Sequence, residues 1–104
     1  MGKYIAERRL WYSRKGEGFR SRLIVGICPP VLATEGDIQA PVDGVISKCR
    51  VEFEGLSEYS FDVFGLDSMQ AVNLASNVES VLKRVSATFD LFWDTGEPYF
   101  LEEE

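Results

Sequence analysis

The sequence predicts an α+β fold: an antiparallel β-meander of about four strands, with one long helix from the C-terminal half packed on one face and an aromatic tail. Three observations carry this reading. Apolar and polar residues alternate through residues 19–27, 45–54 and 59–63, the period of half-buried strands. From Asp67 onward the apolar spacing lengthens to three and four residues, the period of an amphipathic helix. The chain has 104 residues, 27% of them charged, which suits one ordinary globular domain spanning 1–104.

The elements follow in order. Residues 3–12, rich in Tyr, Ile, Leu and Trp, form the first strand, and Ser13 to Gly18 supply a glycine-bearing turn. In the second strand Phe19, Ser21, Leu23, Val25 and Ile27 point inward, with Arg20, Arg22, Ile24 and Gly26 outward. Pro29 and Pro30 end it because neither carries an N–H for the ladder. Residues 29–43 make a long connection that carries Glu35, Asp37 and Asp43 and closes in the turn Pro41-Val-Asp-Gly44. The third strand turns Val45, Ser47, Cys49, Val51 and Phe53 inward, leaving Ile46, Lys48, Arg50, Glu52 and Glu54 outside. Gly55 opens a hairpin to a fourth strand with Tyr59, Phe61 and Val63 inward.

Asp67 then reads as a helix N-cap, with Gln70 placed to complete a capping box. The expected helix runs from Ser68 to about Thr88. Its buried stripe would be Met69, Val72, Ala75, Val78, Val81, Leu82, Val85 and Phe89, and Glu79 and Lys83 are spaced as an i, i+4 pair. Five aromatic residues crowd positions 89–100, with a turn at Thr95-Gly-Glu-Pro98 between two short extended pieces. The second sheet face carries Ile24, Ile46 and Phe64, with Trp11; the favoured expectation is that the tail folds over it, the alternative that it is open and binds.

Charge and composition narrow the function classes. The net charge is −6, but residues 1–28 hold seven basic groups against Glu7 and Glu17, while residues 29–104 hold four against fifteen acidic ones. Nucleic acid is not an expected partner, because the acidic majority repels a phosphate backbone. The basic groups are expected to form salt bridges along a strand pair. There is no histidine, which removes Ser-His-Asp and Cys-His catalysis and His-ligated zinc. Nucleotide-binding glycine motifs are missing, no stretch suits a membrane span, and the first ten residues lack a secretory core, so a cytoplasmic protein without membrane attachment is expected. Cys28 and Cys49 fall on opposite faces by parity, which argues against a disulfide. No cofactor, metal site or catalytic residue is expected, and the chain is read as a non-enzyme. An acidic surface of this kind speeds association with basic proteins. The expected contacts are Glu35, Asp37 and Asp43 in the long loop, Glu52 and Glu54 on the third strand, and Asp94 and Glu97 in the tail.

Ile5-Ala-Glu-Arg8, Gly65-Leu-Asp-Ser-Met-Gln-Ala71 and the late Trp93 with Gly96-Glu-Pro98 together resemble a family of small uncharacterised bacterial domains. That resemblance implies no catalytic residues. In size, acidity and α+β composition the chain is also similar in type to immunity proteins of contact-dependent growth inhibition. That likeness implies a basic protein partner, a nuclease-type toxin domain whose active site is occluded. A small-ligand-binding or self-assembling accessory domain is the alternative, and the oligomeric state is left open.

Overall fold

A computed structural model describes residues 3–33 and 46–100. Strands Ala6–Arg14 (β1) and Ser21–Ile27 (β2) form a hairpin with Leu10 opposite Leu23 and Arg8 opposite Val25. Strand β2 pairs next with Ser47–Glu54 (β4), Val25 facing Phe53. Val51 of β4 has Ile27 on one side and Phe61 of the strand Phe61–Gly65 (β5) on the other. The short strand Val31–Leu32 (β3) therefore continues β2 along the same edge of β4. Between them the register slips by one residue, from Ile27 opposite Val51 to Val31 opposite Lys48. This bulge falls at Pro29-Pro30, where no N–H is available to the ladder.

The helical segment is one bent run of two pieces, Ser68–Ala75 (α1) and Glu79–Val85 (α2). The bend at residues 76–78 has a local cause. The Ser76 hydroxyl donates to the Asn73 carbonyl at 2.8 Å, and the Asn77 N–H turns to Leu74 three residues back at 3.2 Å. After α2 the chain crosses back, and Phe89–Trp93 (β6) pairs antiparallel with the free side of β1, Tyr12 opposite Leu91. The sheet thus reads β5-β4-β2-β1-β6 across, with β3 extending β2. The expected four strands become six, because the tail supplies one of its own and β3 is too short to show a period.

Helix and sheet meet over a core of Leu10, Leu23, Val25, Val51, Phe53, Leu82 and Val85, with Cys49 buried among them. Met69 does not belong to the buried stripe. It is 82% exposed, whereas Ala71 is fully buried in its place. The first turn of α1 sits with its backbone close against Gly65 of β5, which leaves no room for a side chain at that glycine. A Cβ on Gly65 would lie 2.5 Å from the Ala71 nitrogen. The tail departs from expectation in part: Asp94 and Gly96 reach Trp11, Arg22 and Arg20 of the second face, but the last aromatics do not. Tyr99 and Phe100 pack on the helix side of the sheet, against the core, and not over the second face. None of the described helices is long and apolar enough to cross a membrane.

Candidate functional site

The outward face of β4 gathers the first group of candidate residues. Glu52 and Glu54 project from the same face two residues apart, and the Tyr4 hydroxyl donates to both carboxylates, at 3.3 Å to Glu52. Tyr4 can lie flat there because its neighbour across β2 is Gly26, where any Cβ would overlap its ring. Lys3 Nζ reaches Glu52 at 2.5 Å, and Arg50 bridges Glu52 (3.5 Å) and Asp62 of β5 (3.3 Å). The hydrogen bond from Lys3 holds the Glu52 carboxyl below the ordinary glutamate range and raises the lysine in return. Burial, followed by the hydrogen bond to Glu54, pushes the Tyr4 phenol up, so it stays a donor. These are ion pairs of a solvated strand face, and they leave the carboxylates ionised and partly committed.

Asp94 and Glu97 lie elsewhere. Strands β2 and β1 separate β4 from β6, and both residues follow β6 in the chain. Asp94 pairs with Arg22 at 2.6 Å, and that guanidinium stacks 3.9 Å from the centre of the Trp11 ring. Arg20 lies 3.5 Å over Phe92 and donates to the Gly96 carbonyl at 3.2 Å. Glu97 is exposed, and its backbone carbonyl accepts from the Trp93 N–H at 2.8 Å. The predicted contacts therefore form two separate groups. Glu35, Asp37 and Asp43 lie outside the described residues.

Of two further constellations, the first escaped the pattern of the sequence and the second is the expected helix cap with one bond shifted. Arg8, on the helix side, donates to Glu79 (2.9 Å) and to the Tyr99 hydroxyl (2.5 Å), with its guanidinium 5.5 Å from the Trp93 ring. Glu79 thus serves Arg8 rather than Lys83, whose ammonium sits over Phe100. Burial and the hydrogen bond to Glu79 push the Tyr99 phenol up to about 12. The second constellation explains the Gly65-to-Ala71 motif. Asp67 accepts from the Gln70 N–H at 2.8 Å, and the Gln70 side chain accepts from the Leu66 N–H at 2.6 Å, one residue earlier than an ordinary capping box.

The cysteines are both free thiols. Burial raises each, and Glu52 adds to the effect at Cys28. Among the described residues no group of three or more carboxylates and thiols is placed to hold a metal ion. A depression of about 540 Å³ between α2, β6 and the tail is lined by Lys15, Lys83, Phe92 and Phe100. Its Lys15 is paired with Asp90 at 3.2 Å. Comparison with protein-family models, curated proteins and solved structures finds no match.

Proposed function

We propose that this chain is a non-enzymatic, cytoplasmic protein-binding module with a basic partner, in its most concrete form an immunity protein that neutralises a nuclease-type toxin domain by covering its active site. The observation that supports the reading is an excess of carboxylates. The basic side chains of the first strands are spent internally: Lys3 on Glu52, Arg8 on Glu79, Arg9 on Glu7, Lys15 on Asp90 and Arg22 on Asp94. Residues 51–82 contain no Lys or Arg and six carboxylates, of which Glu52, Asp62 and Glu79 are engaged by Lys3, Arg50 and Arg8. The net charge of −6 means that acidic groups outnumber the bases that can pair with them, and net negative charge steers basic partners and raises their association rate.

The test is to capture partners of the tagged chain from its source cells and measure association of a stoichiometric partner at low and high salt. A basic partner whose rate falls steeply with salt, and whose toxicity this chain suppresses on co-expression, supports the reading. An acidic partner, or a rate indifferent to salt and to charge reversal at Glu52, Glu54, Asp94 and Glu97, overturns it. A second reading, self-assembly or small-ligand binding through Ile24, Ile46 and Phe64, draws support from the exposure of Phe64, with Ile24 and Ile46 half-buried beside it. Light scattering that finds a concentration-independent dimer favours it.

A further inference from the structure

The two edges of the sheet are treated differently. Along β6 the chain folds back on itself: the Trp93 N–H bonds to Glu97, the Tyr99 N–H bonds to Leu91, and Phe92 bridges to Pro98. That edge is closed by its own tail. Strand β5 forms the other edge, and no described residue pairs with its outer side.

The register shows which backbone groups are open. Cys28 donates to the Arg50 carbonyl, so Arg50 turns its backbone toward β2, and Cys49 and Val51 turn theirs toward β5. Their partners Val63 and Phe61 are therefore the residues bonded to β4. Asp62 and Phe64 direct their N–H and C=O groups away from the sheet. Unpaired groups on an edge strand are a template for one more strand.

Local chemistry says which strand fits. Glu58 precedes β5, Asp62 lies in it and Asp67 follows it as the cap of α1, with no basic residue between Val51 and Leu82; the neighbouring bases are Lys48 and Arg50 of β4, and Arg50 is shared between Asp62 at 3.3 Å and Glu52 at 3.5 Å. A second copy of this chain would set these like charges against one another. Apolar surface accompanies the charge: Phe64 is 38% exposed and Leu66 75%. We infer that the outer edge of β5 is a docking edge for an extended, basic segment of a protein partner with alternating apolar side chains. The inference rests on the basic-partner reading and names the surface that reading uses.

The experiment is a titration of the isotope-labelled full chain with a capped octapeptide alternating Lys and Val, followed by amide shifts and hydrogen exchange. Controls are the Glu–Val counterpart and a Lys–Val peptide N-methylated at alternate residues. The expected result is saturable binding with the largest changes at Asp62 and Phe64, slowed exchange at those two amides, and about tenfold weaker binding of the N-methylated peptide. Asp62→Pro deletes one outward N–H while sparing the β4 bonds, and is expected to weaken binding about tenfold more than Asp62→Ala. The N-methylated peptide gives the same answer if the proline variant fails to fold. Equal affinity for the N-methylated peptide, no binding of Lys–Val at about 1 mM, or shifts centred on Glu52 and Glu54 overturns the docking edge. Shift changes in β5 on raising protein concentration alone also overturn it, in favour of a second copy. The basic-partner reading fails separately, on an acidic partner or a salt-indifferent association rate in the capture experiment.

Discussion

Gly65→Ala tests the close seat of α1 on β5. The new methyl would sit 2.5 Å from the Ala71 nitrogen and 3.0 Å from its Cα and from the Gln70 carbonyl carbon, all backbone atoms. Restoring ordinary contact, about 3.4 Å or more, requires the first turn of α1 to lift by roughly 1 Å. Ala71 is fully buried, so that lift opens a gap above β4 and β5. Overpacking of this kind costs about 1–3 kcal/mol. The smaller conformational entropy of an unfolded chain with alanine offsets about 0.4–1 kcal/mol of that. The expected net loss is about 1–2 kcal/mol, a fall in Tm of roughly 4–16 °C for a domain of this size. Urea unfolding followed by circular dichroism measures it. Gly18→Ala is the control, since nothing lies within 4 Å of that position, and its expected effect is within about 0.5 kcal/mol. A Gly65→Ala protein as stable as the control would refute the claim that this approach requires glycine.

The same helix start makes Asp67→Ala cost about 1 kcal/mol by urea unfolding, through loss of the side-chain acceptor for the Gln70 N–H. Arg8→Ala is expected to cost about 1 kcal/mol. Its partners Glu79 and Tyr99 are polar and its own side chain is 39% exposed, so a double-mutant cycle with Glu79→Ala should recover only about 0.5 kcal/mol of coupling. Tyr99 ionises at about 12 in the folded protein, above its ordinary value of 10.0, so its contribution is complete below pH 10 and is lost as pH rises from 10 through 12. Absorbance titration should lose one tyrosinate step near 12 in Tyr99→Phe. The Glu52 carboxyl, depressed chiefly by the Lys3 hydrogen bond, contributes stability above pH 4.5 that is lost as pH falls through its lower folded value. Carboxyl NMR of Lys3→Ala should move that titration back upward.

Alternation made β2, β4 and β5 legible, and the period switch at Asp67 located the helix and its cap. Periodicity failed where one or two residues decided the outcome. Met69 falls in phase with the apolar stripe on a count of threes and fours, but in the first turn it is Ala71, its backbone against Gly65, that is buried, while Met69 faces solvent. The bend at Ser76 arises from one hydroxyl returning to a carbonyl, which spacing alone does not reveal. Strand β6 was legible as a short extended piece before the turn at Thr95, but its pairing with β1, about 80 positions earlier, was not. Glu54, Asp94 and Glu97 were legible as exposed, and Glu52 is half-buried, yet their grouping was not legible. Strand order separates Glu52 and Glu54 from Asp94, and sequence distance carries no record of that order. Gly26, on the outward side of β2, was the available sign that Tyr4 crosses there.

The pairing of β1 with β6 also sets the order in which the molecule can be finished. Strand β1 is made before the other described strands of the sheet and its second neighbour after them, and the Arg8–Tyr99 bond spans 91 positions. Until then a nascent chain can assemble β1, β2, β4 and β5 with the helix over them, but one side of β1 remains unpaired. Closure is therefore a late, non-local event, the kind that slows folding and leaves partly made chains open to wrong pairings. A transcript truncated after α2 should yield a chain that associates with its own kind through β1, because the strand meant to seal that edge was never made.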